Sequence, residues 1–139
     1  MKQPRRKGFT LIDLMIALVI MAILITIAYP SYLRFLLKAR RSDALVTLAQ
    51  DQIFLERCYA QNFSYTTCTS LPPFPQTSAQ GFYSITLSNL GATTYTLTAT
   101  PRGSQTKDTT CASMTVDQAN VKTAVDSSGT AQTICWNLT

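Results

Sequence analysis

Phe9-Thr10-Leu11-Ile12-Asp13-Leu14-Met15-Ile16-Ala17-Leu18-Val19-Ile20-Met21-Ala22-Ile23-Leu24-Ile25-Thr26-Ile27-Ala28-Tyr29 carries one charge, Asp13, in an otherwise apolar run. As a helix rising 1.5 Å per residue it is about 30 Å long, which matches the hydrocarbon thickness of a bilayer. A secretory signal would have a shorter apolar core and a small-residue cleavage site beyond it, and this run has neither. A basic leader precedes the run, with Lys2, Arg5, Arg6 and Lys7 ahead of Gly8. The positive-inside rule places that leader in the cytoplasm. Arg34, Lys38, Arg40 and Arg41, beyond Pro30, are a counterweight that leaves charge alone indecisive.

Working outward, residues 31–58 contain no Gly and no Pro and are rich in good helix formers. The spacing predicts one long helix over residues 9–58, about 75 Å if fully helical. Pro30 is expected to bend it, because the ring crowds the carbonyl of Thr26 and offers no N–H in return. Leu45, Leu48, Ala49, Ile53, Leu55 and Tyr59 form an apolar face at helical spacing, with Asp43, Asp51 and Arg57 expected on the other side.

After residues 60–81, read as an irregular loop around Pro72, Pro73, Pro75 and Gly81, the hydrophobic period becomes alternating. Tyr83, Ile85 and Leu87 alternate with hydroxyl residues, and so do Tyr95, Leu97 and Ala99 beyond a turn that contains Gly91; this predicts a β-hairpin. Met114 and Val116, then Val121, Thr123 and Val125, predict a second strand pair, and Thr133–Leu138 a last short strand. The fold class is therefore α+β: a long N-terminal helix, transmembrane in its first half, packed on a C-terminal antiparallel sheet. The expected divisions are a leader at 1–8, a membrane helix at 9–30 and a globular domain at 31–139 that includes the outer half of the helix.

The 139 residues hold 12 Lys+Arg against 7 Asp+Glu, a formal charge of +5. Four of the bases lie in residues 1–8, so without them eight bases face the 7 acids and the excess nearly vanishes. With no His, neither a Ser-His-Asp set nor an imidazole zinc site can form; no catalytic residue, metal or cofactor is expected, and the chain is not read as an enzyme. Arg34, Lys38, Arg40 and Arg41 read as a solvated or headgroup-facing cluster ahead of a DNA-binding one, and Arg102, Lys107 and Lys122 are too few for a basic face of their own.

Cys58, Cys68, Cys111 and Cys135 allow three pairings, among which sequence alone does not choose. Local closure favours Cys58 with Cys68 and Cys111 with Cys135, with Trp136 packed on the second crosslink. An even count beside a membrane anchor suits an oxidising compartment, which puts the globular part outside the inner membrane and the leader inside.

Lys7-Gly8-Phe9-Thr10-Leu11-Ile12-Asp13 ahead of an apolar helix resembles the class III leader of type IV pilins, and Glu56-Arg57-Cys58-Tyr59-Ala60-Gln61-Asn62-Phe63-Ser64-Tyr65 is similar to the region after the long helix in PilE-type pilins, minor subunits included. The resemblance implies that a prepilin peptidase cuts between Gly8 and Phe9 and methylates Phe9. It also implies that Pro30 is the helix-bending proline, and that the chain is a filament subunit with other pilin subunits, the inner membrane and the pilus assembly machinery as partners. The family usually has glutamate where Asp13 stands. A carboxylate in a bilayer costs about 3 kcal/mol on insertion scales. The resemblance implies that this acid attracts a neighbouring subunit's N-terminal amine; the simpler reading is that it complements the helix dipole. Phe9, Asp13 and Pro30 are thus the expected assembly residues. A DNA-uptake receptor of the minor-pilin type and a type II secretion pseudopilin are the alternatives.

Overall fold

The computed structural model describes residues 10–69 and 71–137. Helix α1 runs Leu11–Asn62, through Pro30 and four residues beyond the expected end. It stops where Phe63 turns to φ 54° and its N–H donates to the Tyr59 carbonyl. The helix crosses two separate units of the chain, one ending at Phe35 and one beginning at Leu36. In the second unit, helical residues Ala44, Leu48 and Leu55 lie in one core with Tyr83, Ile85, Tyr95, Leu97, Ala99, Met114, Val116 and Ala124. Every buried residue of this core comes from position 44 or later, so this unit holds together on its own contacts.

The sheet is a simple meander in the order β1-β2-β3-β4-β5, every pair antiparallel. Its strands are β1 Gln76–Thr77, β2 Tyr83–Ser88, β3 Thr96–Pro101, β4 Ser113–Asp117 and β5 Lys122–Val125, with a 3₁₀ turn at Gly103–Lys107 between β3 and β4. The predicted hairpin forms with Ile85 opposite Ala99 and Leu87 opposite Leu97, which keeps the apolar parity on the helix side. Gly91 is required at the turn: a Cβ there would stand 2.6 Å from the Thr94 hydroxyl oxygen, whose proton goes to the Asn89 carbonyl.

Several expectations need correction. Asp43 and Asp51 are buried, whereas Ala49 and Ile53 are exposed, so the packing face is rotated from the one the apolar residues suggested. In β5 the buried residue is Ala124, while Thr123, and Val121 just before the strand, are exposed; Met114 is its cross-strand partner and sets that parity. Described residues 133–137 form no strand; Val125 makes an isolated bridge to Ala131 instead. The 60–81 segment is not all loop, since it begins inside the helix and contains β1.

Both favoured disulfides form, Cys58–Cys68 with Cα atoms 5.7 Å apart and Cys111–Cys135 at 5.8 Å. The first ties the helix end to the following loop; the second holds the chain terminus to the start of β4. Trp136, beside the second, packs at the core margin and donates its ring N–H to the Thr123 carbonyl.

Two outcomes test this packing. Replacing Cys111 and Cys135 together by Ser should lower the unfolding free energy of the unit from Leu36 onward by about 2–4 kcal/mol, measured by urea denaturation. Phe63→Gly should raise it by about 1 kcal/mol, because Phe63 is 81% exposed and held at a positive φ that glycine adopts without strain.

Candidate assembly surface and polar groups

Over residues 11–29 the apolar side chains are exposed on every side of the helix, from Leu11 at 77% to Ile27 at 71%. An 18-residue stretch of this helix has a mean hydropathy of 2.9, apolar enough to cross a membrane. Its polar groups are satisfied locally: the Thr26 hydroxyl donates to the Ile23 carbonyl. At the N-terminal end, Thr10 and Asp13 form a reciprocal cap. The Asp13 carboxylate accepts from the Thr10 N–H at 3.0 Å and from the Thr10 hydroxyl at 2.7 Å, while the Asp13 N–H donates to the Thr10 hydroxyl oxygen at 3.3 Å. This is a capping box with aspartate in the glutamate position. Gly8 and Phe9, the expected cleavage and methylation residues, lie outside the described residues. Asp13 and Pro30 both lie in the apolar helix, 17 positions apart in the chain.

From Leu36 onward the six acids are all used as hydrogen-bond acceptors inside the fold. Asp43 is buried and accepts from the Ser78 hydroxyl and the N–H groups of Gln80 and Phe82. Buried Asp51 accepts from the Gln76 amide; loss of hydration pushes its pKa up against that bond, which lowers it. Glu56 accepts the hydroxyls of both Tyr65 and Tyr95 at 3.0 Å. Asp117 caps its own turn through the N–H groups of Ala119 and Val121. Asp126 accepts from Ser128, Thr130 and Gln132, and these bonds hold its pKa down to about 2.

Asp108 takes the only ion pair among the described residues. Arg41 Nε and Nη2 donate to its two oxygens at 2.7 and 2.8 Å, a bidentate pair with both residues buried. Gln105, fully buried in the 3₁₀ turn, donates to the Leu37 carbonyl, the Tyr83 hydroxyl and Asp108, and its own Oε1 has no protein partner. The expected 34–41 cluster is thus split. Arg41 is a structural residue, buried rather than solvated or headgroup-facing. Arg40 stacks 4.3 Å from the Phe82 ring centroid and donates to Ser104. Arg102 donates to Thr77, and Lys122 stands 5.5 Å over Trp136. None of Lys38, Arg40, Arg57, Arg102, Lys107 and Lys122 has an acid within ion-pair distance among the described residues.

The sequence reading missed this division of labour. A signal was present, since Arg41, Asp43, Ala44, Thr47, Leu48, Asp51 and Leu55 recur at helical spacing, but the charges among them masked the stripe.

The described residues hold no group of three or more His, Cys, Asp or Glu arranged to bind a metal. Tyr65 stacks on Tyr59 at 4.7 Å between centroids and meets Tyr95 edge-on at 4.8 Å. Burial pushes Tyr65 and Tyr83 up to about 12 and Tyr95 higher still; the Glu56 carboxylate adds to the shift at Tyr65 and Tyr95.

Two families match the chain. One described as a prokaryotic N-terminal methylation motif covers residues 3–29, and one described as type IV minor pilin ComP, DNA uptake sequence receptor, covers residues 30–115. The type IV major pilin protein PilA of Myxococcus xanthus is 38% identical over 66 residues, 44% of this chain and 30% of that protein. The prepilin peptidase-dependent protein D of Escherichia coli is 38% identical over 64 residues, 46% of this chain and 44% of that protein. The chain thus spans less than half the length of these two relatives. The non-core minor pilin PilV of Neisseria meningitidis superposes with a TM-score of 0.53 at 22% identity, over 66% of this chain and 88% of that one, which establishes a shared fold.

Arg41→Met leaves the Asp108 carboxylate buried without its partner and should cost about 3–5 kcal/mol, whereas Arg41→Met with Asp108→Leu should recover most of that loss in the same urea titration. The tyrosines give a pH test. A folded-state pKa raised from 10 to about 12 means stability that is present below pH 10 and lost as pH rises toward 12. Absorbance titration should find Tyr65, Tyr83 and Tyr95 still protonated at about pH 11 in the folded chain and ionised there in denaturant.

Proposed function

The chain belongs to the type IV pilins, in the family described as type IV minor pilin ComP, DNA uptake sequence receptor, and from that membership we propose that it is a minor subunit of a type IV pilus. Prepilin peptidase cuts the precursor between Gly8 and Phe9 and methylates Phe9. Before assembly the apolar helix holds the subunit in the inner membrane with its N-terminus cytoplasmic and the disulfide-bonded unit outside. Assembly moves that helix out of lipid into the filament core. The observation that carries this reading is the helix itself: residues 11–29 are apolar on every side, a surface that needs lipid or neighbouring helices around it.

The helix serves both environments because it satisfies its own polar groups. Thr26 bonds back to Ile23, and Thr10 and Asp13 cap each other. In the filament, Asp13 meets the amine of a neighbouring Phe9, which keeps its charge after methylation. Pro30 lacks the N–H that would otherwise bind the Thr26 carbonyl, which gives the helix a place to bend as its surroundings change. The chemistry of the subunit is association, and no step in it needs catalysis.

DNA binding is the second reading, and a specific observation favours it. Asp43, Asp51 and Asp108 are buried, whereas Arg41 is the only buried base among the described residues, so the surface is more positive than the composition suggests. Such binding would be steeply salt-dependent. The Cys111–Cys135 crosslink near the C-terminus weighs against a secretion pseudopilin.

Asp13→Asn separates the two roles of that residue, because the amide oxygen still accepts from Thr10 while the charge is gone. Membrane insertion and leader cleavage should persist, and the amount of the subunit in sheared filament fractions should fall at least several-fold, with Asp13→Glu restoring it. Unchanged incorporation of Asp13→Asn would reduce Asp13 to a helix cap.

A further inference from the structure

One exposed charged patch is left over by the pilus reading. The 3₁₀ turn Gly103–Lys107 is locked against the helix by two bonds, Gln105 to the Leu37 carbonyl at 3.0 Å and Arg40 to the Ser104 hydroxyl at 2.9 Å. That docking sets helix residues Leu37 and Arg40, with Lys38 between them in sequence, against the turn that Arg102 and Lys107 flank. Lys38 and Arg40 come from the helix; Arg102 and Lys107 stand at the two ends of the turn, both exposed. The acid that could neutralise the group, Asp108, is buried and already saturated by the two Arg41 bonds. Arg40 and Arg102 are also held in place, by Phe82 and Ser104 and by Thr77 respectively, so little side-chain freedom remains to be lost on binding.

We propose that Lys38, Arg40, Arg102 and Lys107 form a docking surface for the phosphates of anionic phospholipid, in the outer leaflet of the same membrane that holds the apolar helix. The proposal rests on the membrane-anchored state before assembly. What favours lipid over nucleic acid is the order of residues along the chain. The apolar run ends at Tyr29 and is followed by Tyr32 and Phe35, all three exposed; tyrosines settle at a membrane interface, and Lys38 comes three residues after Phe35. Aromatic residues and then bases is the sequence order of a helix that leaves hydrocarbon and enters headgroups. The surface gives the unassembled subunit a second hold on the bilayer. Each base near an anionic surface adds about fivefold to affinity, fading beyond a Debye length of about 8 Å at physiological salt.

The unit from Leu36 onward has its own core and both disulfides, so it can be tested without the apolar helix. Its sedimentation with phosphatidylcholine vesicles is compared with that on vesicles that also contain phosphatidylglycerol, at low and at high salt. The expected result is binding to the anionic vesicles alone, weakened by salt, reduced roughly 20-fold in Arg102→Gln with Lys107→Gln, and unchanged in Arg57→Gln with Lys122→Gln. Because Arg102 and Lys107 are exposed and outside the core, the double variant should keep its circular dichroism spectrum. Equal binding to both vesicle types, or no loss in that variant, overturns the proposal. So does the opposite pattern, in which the four bases govern retention of duplex DNA but not of vesicles. Failure of the underlying reading would show separately, as release of the full chain from membranes by alkaline carbonate.

Discussion

The pair formed by Arg41 and Asp108 is the contact on which the arrangement of the globular unit depends. It joins a helix residue to one 67 positions later, and both its bonds are short and buried. A buried pair is a poor source of net stability but a strict source of register, since any other docking would strand one of the charges. Around it the network is continuous. Gln105 connects Asp108 to the Leu37 carbonyl and the Tyr83 hydroxyl, while Asp43, two residues after Arg41, binds the chain leading into β2. At the far end of the helix Glu56 does the same for Tyr65 and Tyr95. Helix and sheet are therefore aligned by polar contacts at both ends and by apolar packing of Leu48 and Leu55 between them.

That arrangement explains why charge counting along the chain is a weak guide. The near balance of bases and acids after the leader suggests a neutral surface. Asp43, Asp51 and Asp108, however, are buried, while Arg41 is the only buried base among the described residues, so the exposed charge is mostly basic. Any surface activity, whether toward lipid or toward DNA, comes from this asymmetry of placement.

Much of the fold was legible. The 21-residue apolar run, the continuous helix across Pro30 and the Tyr83–Ala99 hairpin follow from hydrophobic period alone, and the two disulfides from local closure. The missed features share a cause. Asp43, Asp51 and Arg41 are polar residues inside a packing face, and period reading assigns polar residues outward. Their burial depends on partners, Ser78, Gln76 and Asp108, that only the folded chain brings near. Val121, just before β5, and Val125, at its end, are more apolar than Ala124, yet pairing with Met114 turns the alanine inward. Phe9, Asp13 and Pro30 are expected as assembly residues from the resemblance of the leader and helix to the pilins, and Phe9 lies outside the described residues. The contact of Arg40 with Ser104 was not legible, since nothing local relates positions 64 residues apart.

The proposed role makes this chain a processed, scarce component of a surface filament. Intact mass spectrometry of purified filaments, with subunits quantified against one another, tests it most directly. The expected species begins at methylated Phe9, has no free thiols, and is present well below the main subunit. A chain that keeps residues 1–8, or one found only in membranes and never in filaments, would contradict it.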